Sequence, residues 1–534
     1  MDTPSWPERD SDHLLVTGEQ MAALEQQLFA SGLPVEALME KAALAVHKAI
    51  QADWGDHLAR HGALVLVGPG HNGGDGLVIA RELQLAGIAT AIWSPFEHHK
   101  PLTEAHLRHA LWLGIPRLQQ PPDPSDPALW IDALFGIGQT RPLGQPLASL
   151  LTARQQHQPA ALVAVDVPSG LDDSSGMPLG KAWARAAATY TIGLIKQGLV
   201  QDPALATVGR LRRVELGLTP SLLAQLEHGT PLGLAMADTR RAPQPGLAAA
   251  AGKYERGRLL VIAGSQAYRG AGHLALLGAS ASGLGSLAAA MAAPLAEALW
   301  QLLPHVVVQR RLACSPGGSL LLADLTAADL ERRDAVLLGP GLGLLEPEDL
   351  SGPPAVAERQ AWERLQAFAG LLVLDADGLN RIQVPWLQGR RGPTWITPHR
   401  GELARLWPDL AERPALDAAR RAAADSGAML LLKGARSVIA SPAGHCWQLL
   451  EAAPAAARAG LGDVLAGYAA GRGAMALAAG HSGDGVWLAA AALAHAAAGV
   501  ACASRGSGGA SPEAVAAALM RPNSESTHES THSQ

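Results

Sequence analysis

Three short segments in the first 180 residues carry side chains able to do chemistry. The first, Gly68-Pro69-Gly70-His71-Asn72-Gly73-Gly74-Asp75-Gly76, follows the apolar run Leu64–Val67 and precedes the helical pattern Leu77–Ala86. A buried strand, a loop of exposed backbone and a helix N-terminus in that order form an anion-binding cradle. Gly68, Gly70 and Gly73 also satisfy the dinucleotide spacing G-x-G-x-x-G. Asp75, however, puts a carboxylate where a pyrophosphate would approach, so more than a phosphate clamp is being built. The other two segments are Asp132-Ala133-Leu134-Phe135-Gly136-Ile137-Gly138 and Val165-Asp166-Val167-Pro168-Ser169-Gly170. Each sets an Asp at the end of an apolar run, just before a turn. On one sheet edge, oxygens of Asn72, Asp132 and Ser169 would converge into a donor set suited to a hard cation. Any one of these residues alone is better read as satisfying its own loop backbone; the three segments together favour a site.

The second half has its own series. Ala263-Gly264-Ser265 leads to Tyr268-Arg269-Gly270-Ala271-Gly272, and further on come Gly339-Pro340-Gly341-Leu342-Gly343, Asp375-Ala376-Asp377-Gly378-Leu379-Asn380 and Thr397-Pro398-His399-Arg400-Gly401-Glu402. Lys433-Gly434-Ala435-Arg436-Ser437 and Ala459-Gly460-Leu461-Gly462-Asp463-Val464 complete the set. In the last of these, small residues precede an Asp that opens an Ala-rich helix. Amides at such a helix start can stabilise a transferring phosphoryl group while the Asp accepts a hydroxyl proton. Asp463 taken alone would be an ordinary helix cap, and Lys433 alone a solvated strand end.

These segments need elements to hold them. Ala63–Val67, Ala89–Trp93, Leu129–Asp132 and Ala161–Val167 read as parallel strands separated by helices, the pattern of α/β architecture. A second series follows at Leu259–Ala263, Ala335–Leu338, Leu371–Leu374, Thr394–Thr397 and Met429–Leu432. Between the two, the Pro-, Gly- and Arg-rich stretch around Arg240–Gly246 predicts a linker. The expected organisation is a domain over residues 13–220, a linker over 221–256, a second domain over 257–522 and a disordered tail over 523–534.

Bulk properties narrow the function. A chain of 534 residues needs at least two cores. With 48% hydrophobic but only 4% aromatic residues, those cores must be mostly Ala, Leu and Val. A net charge of −6 gives no reason to expect nucleic acid or an anionic membrane as a partner. The N-terminus is acidic and proline-bearing, unlike a signal peptide. The run Val486–Ala503 is apolar enough to span a membrane, but its Ala content and His495 predict a buried helix. Three widely spaced cysteines, Cys314, Cys446 and Cys502, point to a reducing cytoplasm.

The N-terminal motifs Gly70–Gly76, Asp132–Gly136 and Asp166–Gly170, in that order, resemble the signature set of NAD(P)H-hydrate epimerases. That resemblance implies a Rossmann-like three-layer sandwich that interconverts the R and S epimers of hydrated NADH and NADPH. It further implies potassium held by Asn72, Asp132 and Ser169, and a hydrate lined by His71, Asn72, Gly73, Gly74, Asp75, Gly136, Ile137, Gly138, Gln139, Thr140, Arg141, Pro142 and Asp166. The family usually carries Asn in place of His71. Asp166 is the candidate acid/base, with capping of the Pro-Ser-Gly turn as its alternative role.

The C-terminal motifs resemble ribokinase-like enzymes, and among them the ADP-dependent NAD(P)H-hydrate dehydratases. A ribokinase-like three-layer sandwich is implied, with Lys433, Gly434, Ala435, Arg436, Ser437 and Gly462 on the nucleotide. Ala271, Gly343, His399 and Asp463 would face the hydrate, Asp463 would act as base, and magnesium would attend the ADP. The family's Gly-Thr-Gly-Asp is Gly460-Leu461-Gly462-Asp463 here, and an Asn usual upstream of it corresponds to Ala453. The whole then reads as a bifunctional enzyme acting on small molecules, with its oligomeric state and its choice between ADP and ATP left open. One rival is a ribokinase-like small-molecule kinase with a regulatory coenzyme-binding N-terminal domain; Asp377–Asn380 with Thr397–His399 favours the dehydratase. A coenzyme-binding scaffold whose second site has decayed is kept open by Leu461 and Ala453. An NAD-linked dehydrogenase is rejected, because Ala89–Trp93 runs into Ser94-Pro95 without the acidic residue that the dinucleotide fingerprint requires.

Overall fold

The computed structural model describes residues 6–246, 250–350, 352–452, 454–504, 506 and 509–520. The chain forms two compact units, one from Arg9–Gly233 and one from Leu234 onward that also takes in residues 6–8. The division falls inside the stretch 221–256 expected as a linker, which carries structure of its own. Helix Pro220–Leu223 buries Leu222 and Leu223 in the N-terminal core, and strand Leu232–Leu234 starts the C-terminal sheet. Apolar side chains spaced among Pro and Gly still find cores, which outweighs the breaker signal. The tail at 523–534 and Ala453 lie outside the described residues.

The N-terminal unit is a seven-stranded parallel sheet. Its spatial order is Arg117–Leu118, Thr90–Trp93, Ala63–Val67, Leu129–Ala133, Leu162–Val165, Ala188–Ile192 and Arg210–Val214. Helices cover both faces. Val65, Val67 and Ile131 pack into one core with helices Val35–His61 and His71–Leu85, while Leu64, Leu66 and Trp130 pack with Leu147–His157 on the other face. From Ala63–Val67 the chain adds strands outward in one direction, then returns to Leu129–Ala133 and builds in the other. A crevice opens at such a switch point, beyond the carboxyl ends of the two strands.

The C-terminal unit repeats the arrangement in a ten-stranded sheet. Its order is Leu232–Leu234, Cys446–Leu449, Val438–Ala440, Met429–Leu432, Thr394–Ile396, Leu371–Leu374, Ala335–Leu338, Arg258–Ile262, Ser286–Ala292 and Val307–Leu312. Strands from Met429–Leu432 to Val307–Leu312 run parallel, and Val438–Ala440 and Cys446–Leu449 pair antiparallel. Again helices lie on both faces, with Leu461–Ala478 on Arg269–Ala281 on one side and Ala415–Ser426 on the other. The switch point lies between Arg258–Ile262 and Ala335–Leu338. The Ala-rich helix Gly485–Ala503 is long and apolar enough to cross a membrane, and it packs here against Leu461–Ala478 and Pro512–Leu519 with Val486 to Leu493 buried.

Both switch points depend on a glycine at the strand end. A Cβ on Gly68 would overlap the carbonyl oxygen of Leu134, and one on Gly339 would overlap that of Asp375. Gly339 also has φ of 140°, a conformation that side chains disfavour. Gly339→Ala is therefore expected to destabilise the C-terminal unit by about 1–3 kcal/mol. Its unfolding transition should drop by several degrees in calorimetry, and an unchanged transition would refute this account of the loop.

Candidate functional sites

In the N-terminal unit a cavity of about 420 Å³ opens at the switch point. His71, Asn72 and Asp75 reach its wall from the first turns of helix His71–Leu85, joined by Gly136, Ile137, Gly138 and Gln139 from the loop after Leu129–Ala133. Asp166 completes the set from the end of Leu162–Val165. Not every expected residue lies on this wall. Gly73 and Gly74 are buried under the helix start, and Thr140 and Arg141 are not among the lining residues. Pro142 lines a separate hollow with Gln145 and Lys181. Gly138 explains the departure: it turns at φ 79° while its amide donates to Asp173 Oδ2 at 2.7 Å, sending the chain away.

Asp166 sits at φ 65°, a left-handed backbone that a non-glycine residue adopts at some cost. Its Oδ1 accepts from Lys196 Nζ at 2.5 Å and from the Ile192 amide at 3.0 Å. Lys196 is buried and also donates to Thr191 Oγ1 and the Ile192 carbonyl. The other Asp166 oxygen faces Gly136, where a Cβ would lie 3.4 Å from both it and Asn72 Oδ1. Asp75 and Glu25 share the wall. Burial, then the nearby Asp166 and Glu25 charges, hold the Asp75 carboxyl well above its usual range. Burial followed by Asp166 pushes Glu25 up to about 7, against the opposing pull of Lys196. Neither Glu25 nor Lys196 was found from sequence; each lies outside the glycine motifs, with no local pattern to mark it.

Asp132 and Ser169 are fully buried and do not line the cavity; they accept from the amides of Leu134 and Phe135, which do. Ser169 donates to Asp132 through its hydroxyl at 2.7 Å and its amide at 2.8 Å, and the Leu134 amide adds a third bond at 3.2 Å. Burial still pushes the Asp132 carboxyl up to about 6. The side-chain nitrogen of Asn72 is buried without a hydrogen-bond partner. Amide, carboxylate and hydroxyl oxygens are the donor types a hard cation takes. Among the described residues no three His, Cys, Asp or Glu side chains form a metal-binding group.

In the C-terminal unit the motifs meet at the other switch point. Asp375 ends strand Leu371–Leu374, followed by Ala376 at φ 46°. Lys433 Nζ donates to Asp375 Oδ1 at 2.6 Å and lies 4.0 Å from Glu402 Oε2. Burial disfavours the Lys433 ammonium, but Asp375 and Glu402 outweigh it and raise its pKa. The Lys433 ammonium expected to meet phosphates is thus held by two carboxylates, a pairing that sequence distance concealed. A Cβ on Gly462 would come 3.6 Å from Lys433 Nζ, which puts the start of helix Leu461–Ala478 beside that pair. Burial, then the Asp375 charge, pushes Asp463 up to about 7.

The remaining expected residues surround this point. Ala271, at the start of helix Arg269–Ala281, adjoins Gly341. The Gly343 amide donates to Asp377 Oδ2 at 2.8 Å. His399 is exposed and caps helix Arg400–Leu406, its Nδ1 accepting from the amides of Gly401 and Glu402. Gly434, Ala435, Arg436 and Ser437 form the turn between Met429–Leu432 and Val438–Ala440, closed by Ser437 Oγ and Gly434 at 3.4 Å.

Two family models divide the chain. Residues 35–198 match the YjeF-related protein N-terminus, and residues 259–521 match NAD(P)H-hydrate dehydratase. A bifunctional NAD(P)H-hydrate repair enzyme of Gloeobacter violaceus is 45% identical over 461 residues, covering 85% of this chain and 87% of that protein. The chain belongs to the bifunctional NAD(P)H-hydrate repair enzymes. A second such enzyme, from Synechocystis, is 40% identical over 464 residues, 86% of this chain and 85% of its own. Among solved structures, the ADP/ATP-dependent NAD(P)H-hydrate dehydratase of Bacillus subtilis, co-crystallised with ATP and Mg2+, is 25% identical with a TM-score of 0.42, covering 53% of this chain and 94% of its own. In this repair enzyme Leu461 stands where the resemblance led to the expectation of a Thr. It packs with Ala498, Cys502, Ala510 and Val515 in a small apolar cluster, leaving the helix start in place.

Proposed function

We propose that the N-terminal unit interconverts the R and S hydrates of NADH and NADPH, and that the C-terminal unit converts the S hydrate back to NAD(P)H while ADP becomes AMP and phosphate. The observation carrying this reading is one chain, related over most of its length to bifunctional repair enzymes, with a chemically distinct site at each sheet's switch point. In the C-terminal unit Asp463 takes the proton of the hydrate's hydroxyl as that oxygen attacks the terminal phosphorus of ADP. Phosphate then leaves from carbon as the neighbouring ring carbon gives up a proton to solvent, an elimination that restores the ring double bond and a far easier departure than that of hydroxide. Helix-start amides at Gly462 and the turn from Lys433 to Ser437 hold the nucleotide, with Ala271, Gly343 and His399 around the hydrate. Magnesium would be bound largely through phosphate oxygens and water, with Asp375 and Glu402 as available carboxylates, and would neutralise charge on the transferring phosphoryl group.

In the N-terminal unit Asp166 moves the proton, while His71, Asn72, Asp75 and the residues from Gly136 to Gln139 surround the hydrated ring. Potassium held by Asn72, Asp132 and Ser169 would supply a fixed positive charge beneath it. Asn72→Ala or Asp132→Ala is expected to abolish the potassium response of epimerisation and leave dehydration intact, with an unchanged response in titrations counting against the ion site. Three free cysteines suit a reducing cytoplasm as the working compartment.

The deciding experiment is recovery of reduced-nicotinamide absorbance from an R and S mixture, with ADP, ATP or neither, plus magnesium and potassium. Complete, nucleotide-dependent recovery supports both activities. A halt near half would remove the epimerase, and no recovery at all would remove the reading.

A further inference from the structure

Helix Gly18–Ala30 brings a carboxyl group into the N-terminal cavity that the motifs do not account for. Thr17 and Gln20 close a capping box at its start, and Met21 and Leu24 are buried in the core. That register sets Glu25 and Phe29, one turn apart, on the cavity wall. No hydrogen bond ties the Glu25 carboxyl to a described residue. Asp75, Asp166, His71 and Lys100 line the same cavity, and Lys196 stands behind Asp166.

The carboxyls divide by what holds them. One oxygen of Asp166 is committed to Lys196 and the Ile192 amide, which leaves the other free to take a proton. Burial and the Asp166 and Glu25 charges hold the Asp75 carboxyl well above its usual range, which disfavours it as a base. Glu25 has no hydrogen bond to a described residue, and burial followed by Asp166 pushes its carboxyl up to about 7, the range suited to a general acid.

Resting on the function proposed above, we propose that Glu25 is a second catalytic residue of the epimerase site, exchanging a proton with the hydroxyl of the hydrated nicotinamide ring in concert with Asp166. Glu25 gives its proton to that hydroxyl. The carbon–oxygen bond breaks, its electron pair leaves on water, and the lone pair of the adjacent ring nitrogen forms a carbon–nitrogen double bond. Water then adds to the opposite face, the double-bond pair returns to nitrogen, and Asp166 takes the surplus proton. Solvent at the cavity mouth restores the proton to Glu25 and takes the one on Asp166 before the next turnover. The reverse direction uses the same groups with their roles exchanged.

The test follows interconversion of separated R and S hydrates of NADH by chromatography, without nucleotide, using the full chain. Glu25→Gln is expected to lower kcat by ~10²-fold or more with KM nearly unchanged, the size usual for loss of a general acid. Wild-type epimerisation should fall as pH rises through about 7, where Glu25 loses its proton, and this alkaline limb should be missing from the variant. Glu25→Asp should keep part of the rate with a displaced pH profile. Dehydration of the S hydrate with ADP by the same samples checks that the chain is intact. Wild-type rate and an unaltered pH profile in Glu25→Gln would overturn this proposal alone. A wild-type chain inert toward both epimers would overturn the epimerase reading and this proposal with it.

Discussion

Asp463→Asn is expected to cut dehydration of the S hydrate by ~10²–10⁴-fold in kcat, the range for removing a general base, with epimerisation unaffected. An amide cannot take the hydroxyl proton, yet it matches the carboxylate in size at the start of helix Leu461–Ala478, so folding should survive. The wild-type pH profile provides a second readout. With Asp463 pushed up to about 7 by burial and by Asp375, the basic form is scarce at pH 6 and dominant at pH 8. Dehydration should therefore rise with pH through about 7 in the wild type, and the variant should lose that rise. Absorbance recovery from the purified S hydrate with ADP measures both, and a variant within about threefold of wild type would remove Asp463 as the base, since base catalysis is worth far more than that.

The second large effect is expected at Asp166. Asp166→Asn strands Lys196, a buried ammonium, beside a neutral amide; breaking such a pair costs about 3–5 kcal/mol. Remaining bonds from Lys196 to Thr191 Oγ1 and the Ile192 carbonyl should keep the loss near the lower end. Epimerisation should vanish and the N-terminal unit should unfold at a lower temperature, two effects that a single variant confounds. Asp166→Asn with Lys196→Met separates them, because no lone charge remains. Stability should return toward wild type while epimerisation stays absent. If the double variant regained epimerisation, Asp166 would be a structural counter-ion and nothing more.

Much of this was legible from sequence, because strand ends and glycines leave local marks. The runs at Ala63–Val67 and Ala335–Leu338, each followed by Gly-Pro-Gly, read as strands ending in glycine loops; the strand order then placed both at switch points, where the bulk of a Cβ cannot be tolerated. Less visible were strands whose composition disguises them. Arg210–Val214 is an edge strand with three arginines, and Ser286–Ala292 is mostly Ala, which scores as helix. The span from Gly136 to Pro142 shows a different limit: the motif is continuous in sequence, but one turn at Gly138 sends its last residues to another face.

By itself the sequence determined the α/β class, two cores and the order of the motifs, which rest on local periodicity and turn chemistry. The candidates Asp166 and Asp463 rest on the family resemblance of those motifs together with their place at a strand end and a helix start. Only the tertiary structure decided which charges meet. Lys196 with Asp166, Lys433 with Asp375 and Glu402, and Glu25 on the cavity wall are pairings across 30, 58, 31 or 141 residues of chain. No local rule encodes them, because burial and Coulomb interaction depend on distance in space. Those same interactions push the carboxyls of Glu25, Asp75 and Asp463 upward, which no local stretch of sequence foretells.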